Sequence, residues 1–408
     1  MALPTDLLLT PADSARAVGD VYGVSLLATV PLFVAVAAFV ALRGKGAGTR
    51  VLIWRSAVVA MLAVYVGRFL PFHWMAWVVP EGLASPLVAL GRAQLAVAGS
   101  IPHAGEGDGW FVPGIMVLYW LGVLAVLFPM LVARSRLARM LPGATVLDDA
   151  GWRRLVDGLR ESSGVRRPVR LVMSPAVRVP MTWGLLHPVI VLPSAAAAWT
   201  PSQRRAALLH ELLHVRSSDP AFVIAARVAC ACFWFHPGVW WVASRLAQDA
   251  ELACDDRVLL AGVRRSDYAE LLARALDGTT RLPAGALALV RHAGLRDRLH
   301  AIVDTSRVLR APSRLAGVVA VAATFAVAAP VATVRVAPTR DVLTTLMQDT
   351  RWESRAYAVV RLAQRRDSVD VARAAARHDP NPRVRAWAQY ALAQGPDAVA
   401  PRSLVLPD

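Results

Sequence analysis

The chain has 408 residues, of which 56% are hydrophobic and 18% charged, and its mean hydropathy is +0.45. That balance excludes an ordinary soluble enzyme and points to a membrane protein. The formal charge of +16 is almost all arginine, with Lys45 the only lysine; the arginines are scattered and not interleaved with aromatics, which argues against a nucleic-acid partner and for lipid contact and topology control.

Residues 1–20 carry Asp6, Asp13 and Asp20 without a basic leader, so no cleavable signal peptide is expected. Spans are expected at about residues 21–42, 51–70 and 110–133, each long enough to cross a bilayer. Arg43, Lys45 and Arg50 follow the first, and Arg134, Arg136 and Arg139 follow the third. Positive residues mark the cytoplasmic side, so the N-terminus is placed outside and the chain beyond residue 133 inside. Arg55 and Arg68 read as snorkelling from the ends of the second span, with Trp54, Trp74 and Trp77 as interface anchors. Residues 83–101, broken by Pro86 and Arg92, read as interfacial.

Residues 134–312 read as a cytoplasmic domain. A helix is expected over 147–162 and strands over 169–173 and 189–192. Val189, Ile190, Val191 and Leu192 stand between Pro188 and Pro193, which suits a sheet edge able to hold an extended peptide by its backbone. Next comes Leu208-Leu-His-Glu-Leu-Leu-His214, an H-E-x-x-H motif in an apolar run, with Thr200-Pro-Ser-Gln as a start signal and Ser217-Ser-Asp-Pro220 as a stop. On a helix, His210 and His214 leave one face and can share one Zn²⁺, with Glu211 beside them as a general base. A third ligand is needed, and Glu251 is the next candidate. Asp255, four residues on, suits a carboxylate that orients a ligating histidine, a role for which Asp256 competes. Cys230 and Cys232 face different ways on a helix and Cys254 is distant, so no disulfide framework is expected.

The apolar stretch after Pro220 invites a further span. A single crossing would strand Glu251 on the far side from His210; a hairpin turning at His236-Pro-Gly238 returns it, with Trp234, Trp240 and Trp241 against the membrane. His236 and Tyr268 are candidate transition-state donors, set against capping and packing roles. Residues 278–312 read as a linker with a short helix over 295–303. A fourth span, residues 315–334 within 313–337, follows Arg307, Arg310 and Arg314 and carries residues 338–408 outside. There, Asp349, Arg355 and Leu362 recur thirty residues later as Asp379, Arg385 and Leu392, the pattern of paired helices in short HEAT-like repeats.

Four motifs in order, Val179-Pro-Met-Thr-Trp-Gly-Leu-Leu-His-Pro-Val-Ile-Val-Leu-Pro193, His210-Glu-Leu-Leu-His214 with Asp219, His236-Pro-Gly-Val-Trp-Trp241 and Glu251-Leu-Ala-Cys-Asp255, resemble the BlaR/MecR-type antirepressor metallopeptidases over roughly residues 20–335. The resemblance implies one zinc at His210, His214 and Glu251, Glu211 as general base, and regulated cleavage of a cytoplasmic protein, often a repressor. Asp219 is a second candidate to orient a ligand. The S-x-x-K and K-T-G elements of a penicillin-binding sensor cannot be built around Lys45, so β-lactam acylation is not the expected trigger.

The expected architecture is a mainly α membrane protein: three spans in residues 1–133, an α+β gluzincin-like peptidase domain at 134–312, a fourth span and a C-terminal all-α HEAT-like segment. Expected surroundings are a bacterial inner membrane, the lipid bilayer, a cytoplasmic protein substrate and a protein partner or second copy at residues 339–408. Rival readings are a housekeeping membrane protease of the quality-control or prenyl-protein type, and a non-catalytic scaffold with structural zinc.

Overall fold

The computed structural model describes residues 28–69, 111–140, 143–279, 286–307, 309, 314–333, 340–348, 350, 352–365 and 368–394. The expected interfacial stretch 83–101 and the first residues of the first expected span lie outside them. Described residues up to 334 belong to one compact unit and those beyond it to a second.

The first unit is built around one apolar helix, α2 (Ala47–Phe69), which is preceded by α1 (Ala28–Ala41). A second long apolar helix, α3 (Phe111–Met140), runs on through Arg134, Arg136 and Arg139. Among the described residues, α2 and α3 contain the two helical stretches long and apolar enough to cross a membrane, Ala47–Gly67 and Gly114–Arg136. On α3, Leu118, Leu121, Leu124, Phe128 and Leu131 face outward, as lipid-facing residues would.

After α3 come a short strand β1 (Thr145–Val146), helix α4 (Ala150–Ser163), and strands β2 (Arg170–Ser174), β3 (Met181–Trp183) and β4 (Val189–Pro193). Strand order is β1-β2-β4-β3, with β2 and β4 parallel and the outer pairs antiparallel. The sequence expectation for Val189, Ile190, Val191 and Leu192 is therefore corrected: β4 is an interior strand and β3 is the edge. Ile190 and Leu192 are buried in one cluster with α4 and helix α5 (Pro201–Ser217), and Val191, on the other face, is buried as well. The prolines are tolerated because Pro188 precedes the strand and Pro193 ends it. Between β3 and β4, Gly184 takes a left-handed φ of 88°, and a Cβ there would run into the His187 carbonyl.

α5 starts and stops where the sequence signals it. Thr200 caps it in a reciprocal box with Gln203, and Pro201 supplies the first turn. It ends at Ser218, whose φ of 56° is left-handed. Helices α6 (Asp219–Cys232) and α7 (Pro237–Leu260) then form the expected hairpin, and α7 carries Glu251 back to α5. The hairpin packs on α2 in one apolar cluster with Val51, Ile53, Ala57, Ala226, Phe233 and Val242. Gly122 of α3 admits the Trp234 indole, where any Cβ would collide. Helix α8 (Arg265–Thr279) packs on α5 and on α9 (Ala286–Val303), α9 packs on α7, and α10 (Arg314–Thr333) returns along α2, where Ser56 donates to Thr324 at 3.2 Å. The three cysteines are free thiols.

Two expected roles on α2 are corrected. Trp54 is fully buried rather than at an interface, its indole N–H donating to Asp249 at 2.8 Å. Arg55 does not snorkel; it pairs with Asp219. An internal carboxylate satisfies each donor better than a strained reach to the lipid headgroups.

The second unit contains α11 (Arg340–Leu346), α12 (Trp352–Ala363), α13 (Val369–His378) and α14 (Pro382–Gln394). Its core includes Ala356, Val360, Ala372, Val384 and Trp387. The thirty-residue sequence offset falls on α12 and α14. Arg355 of the first copy donates to Asp379 of the second at 2.9 and 3.1 Å, with both side chains nearly buried. Burial would raise the Asp379 carboxyl, but Arg355 and the Asn381 N–H outweigh it and hold the carboxyl below its usual value. A depressed carboxyl gives stability that is complete above its unfolded pKa of about 4 and is lost as pH falls through the folded one. Asp379→Asn should lower hydrogen-exchange protection across residues 352–394 by about 1–3 kcal/mol at pH 7, a gap that narrows as pH falls through the depressed carboxyl pKa. Equal protection in wild type and variant at neutral pH would show the pair to be dispensable.

Candidate metal centre

The helical period of α5 sets His210 and His214 one turn apart on the same face, with their Nε2 atoms 3.1 Å from each other. From α7, Glu251 places Oε2 3.4 Å from His210 Nε2 and Oε1 3.7 Å from His214 Nε2. A tetrahedral zinc with bonds of about 2.0–2.2 Å separates its donors by roughly 3.3–3.6 Å. The three separations, 3.1, 3.4 and 3.7 Å, straddle that range, and the two-imidazole, one-carboxylate donor set suits that ion.

The Nδ1 atoms face away and are held from behind. His214 Nδ1 meets Asp219 Oδ2 at 2.6 Å. Ser218 explains how a residue five positions later reaches it: its left-handed backbone breaks the helix and turns Asp219 back onto the last turn of α5. Arg167 steadies this break by donating to the carbonyls of Val215 and Leu185 and to the Ser218 hydroxyl. Cys254 Sγ, buried on α7, lies 3.6 Å from His214 Nδ1. His210 Nδ1 lies 2.9 Å from the Tyr268 hydroxyl and 3.3 Å from Asp255 Oδ1. Tyr268 in turn donates to Asp255 at 2.5 Å.

Arg298, on α9, closes the far side. Its Nε and Nη2 bond the two oxygens of Asp255 at 2.8 Å each, and Nη1 bonds Glu251 Oε2 at 2.7 Å. Burial would raise both carboxyls, but Arg298 and the imidazoles outweigh it and hold Glu251 and Asp255 well below the usual carboxylate range. Tyr268 moves the other way, since burial and then the Asp255 charge keep its proton on. Glu251 keeps 38% of its side-chain surface open, whereas Asp255 is fully buried. The ligand set thus has one accessible side and a closed back.

Glu211 is buried next to the pair, and its Oε2 accepts a 2.7 Å hydrogen bond from Thr182 of edge strand β3. Neither Thr182 nor Arg298 was singled out from the sequence. Thr182 sits inside the quoted Val179–Pro193 motif. Arg298 had a subtler signal, an arginine on the apolar stripe of Leu295, Leu299 and Ile302.

Two candidate donors do not fit their expected role. Tyr268 is 1% exposed and touches the back of His210, so it positions a ligand rather than facing the open side. His236 caps α7, accepting from the Gly238 N–H at 3.1 Å. Fifteen helical residues separate it from Glu251, a rise of about 22 Å. Asp256 pairs with Arg307 instead of competing for the histidines.

Residues 103–302 match the model of the family described as BlaR1 peptidase M56. The chain is 22% identical over 220 residues to the regulatory protein BlaR1 of Bacillus licheniformis, covering 50% of this chain and 36% of that relative. It is 30% identical over 95 residues to the methicillin resistance mecR1 proteins of Staphylococcus aureus and Staphylococcus epidermidis, covering 23% of this chain and 16% of each relative. The match therefore spans about a third or less of these relatives' length.

Asp255→Asn should weaken zinc binding about 10- to 100-fold, the usual loss when the partner of a ligating imidazole is removed. Competition against a chromophoric chelator measures it, and unchanged affinity would remove Asp255 from the site's support.

Proposed function

From the premise that this chain is a BlaR/MecR-type family member carrying the BlaR1 peptidase M56 domain, we propose that it is an integral-membrane, zinc-dependent endopeptidase. The observation that carries the reading is the convergence of His210 Nε2, His214 Nε2 and a Glu251 oxygen, with Glu211 beside them. A structural site does not need that adjacent base.

Zinc bound at these three residues supplies a Lewis acid that polarises the scissile carbonyl and acidifies water there. Glu211 accepts a proton from the attacking water at a carboxylate oxygen and delivers it to the departing amine nitrogen. Thr182 donates to Oε2 of that carboxylate and fixes its orientation, leaving the other oxygen for the proton. Asp219 and Asp255 hold the imidazoles by Nδ1, which leaves Nε2 free as the ligand atom. Arg298 keeps Glu251 ionised and in place. Strand β3 is the sheet edge and meets this base through Thr182, so an extended peptide paired with it passes the reacting centre.

The surroundings follow the same reading. The arginines after α3 and before α10 support a reading with the peptidase in the cytoplasm of a bacterial cell, four spans and both termini outside. The substrate is a cytoplasmic protein of the repressor class. The helices of residues 352–394 form HEAT-like repeats linked by Arg355 and Asp379, a surface for a partner or a second copy.

Thr182→Val should lower kcat about tenfold and leave zinc affinity unchanged, because only the base loses a partner. Steady-state kinetics with chelator titration separates the two, and a variant as active as wild type would remove Thr182 from the mechanism. Glu211→Gln should retain zinc and abolish turnover. The direct check compares new N-termini among cytoplasmic proteins in cells carrying wild type and Glu211→Gln; identical sets would overturn the peptidase reading.

A further inference from the structure

The expected membrane helix α2 carries two arginines that turn inward to buried aspartates. Arg55 pairs with Asp219, and their side chains are only 13% and 9% exposed. One turn earlier, Arg50 donates its Nε–H to Asp249 at 2.8 Å and Trp54 donates its indole N–H to the same carboxylate at 2.8 Å. Asp219 is the residue that holds His214 by Nδ1, and Asp249 stands two residues before Glu251 on α7. One short stretch of α2 therefore grips both helical segments that bring metal ligands together. An ionised side chain buried in a span is costly and persists only where a partner answers it. Here the partner of Arg55 is already committed to the metal ligand.

The contact is not close-packed throughout. A cavity of about 450 Å³ lies between α2 and the ligand helices, with Arg55, Asp219, Cys254 and Arg257 in its wall. Beside the Arg55–Asp219 pair, this opening separates part of α2 from the junction of α5 and α6 and from α7. A shift of α2 would act on Asp219 through the Arg55 contact.

We propose that Arg55 is a positioning residue for the metal centre: through Asp219 it sets the orientation of His214, so that the placement of α2 in the membrane tunes metal affinity and turnover. The inference rests on the zinc-peptidase reading above. Loss of the guanidinium frees Asp219 to rotate away from His214 Nδ1, and the imidazole loses its fixed direction.

The test uses full-length protein in nanodiscs, with zinc affinity by chelator competition and the d–d spectrum of the Co²⁺-substituted protein as readouts. Arg55→Gln should weaken zinc about 3- to 30-fold, at or below the loss expected for a direct imidazole partner, and shift the Co²⁺ bands. Asp219→Asn should shift them in the same direction. The double variant should match Asp219→Asn alone, since Arg55 acts only through that carboxylate. Arg55→Lys keeps the charge with a single donor geometry and should fall between wild type and Arg55→Gln, which keeps the question open to measurement if the glutamine variant does not fold. Additive losses, or wild-type affinity and spectrum in both Arg55 variants, would overturn the proposal. Failure of wild type itself to bind zinc would overturn the underlying peptidase reading instead.

Discussion

Buried aspartates answered by arginines are the constraint around which the first unit is arranged. Asp219 meets Arg55, Asp249 meets Arg50, Asp255 meets Arg298 and Asp256 meets Arg307, each carboxylate almost without solvent. A carboxylate left alone in such a place would either unfold its surroundings or take up a proton. Each pair joins elements far apart in sequence, so satisfying the charges also fixes how the helices lie. Replacing these pairs with apolar residues of similar volume would not obviously cost stability. What they supply here is direction, because two of the aspartates end on imidazole Nδ1 atoms.

The same constraint explains the asymmetry of the centre. Behind the imidazoles, every polar atom is spoken for by Asp219, Asp255, Tyr268 or Arg298. On the other side, Glu251 is more than a third open, and the edge strand β3 presents Thr182 to Glu211. A closed back and an open front are what a metal centre that exchanges substrate requires. The stiff back is assembled from α2, α6, α7, α8 and α9, so the ligand geometry reports on the packing of most of the first unit.

Much of this could be read from the chain. H-E-x-x-H at helical spacing puts two imidazoles on one face whatever surrounds them, and Thr200-Pro-Ser-Gln caps that helix by local hydrogen bonds. The hairpin at His236-Pro-Gly238 followed from the need to return Glu251, and apolar length alone marked α2 and α3. These features depend on neighbours within a few residues or on simple length.

What only the tertiary structure decided were relations between distant segments. Whether β4 or β3 forms the edge depends on strand order, and prolines flank a strand in either case. Arg55 and Trp54 looked like interfacial residues because their partners, Asp219 and Asp249, lie more than 160 residues away. Arg298 was one of 45 basic residues until α9 packed on α7 and set it between Glu251 and Asp255. Tyr268 and His236 were equal candidates until folding turned one to the back of His210 and left the other capping the far end of α7. Local pattern specifies which groups a helix face presents; the partner of a buried charge is settled only when another helix arrives to pair with it.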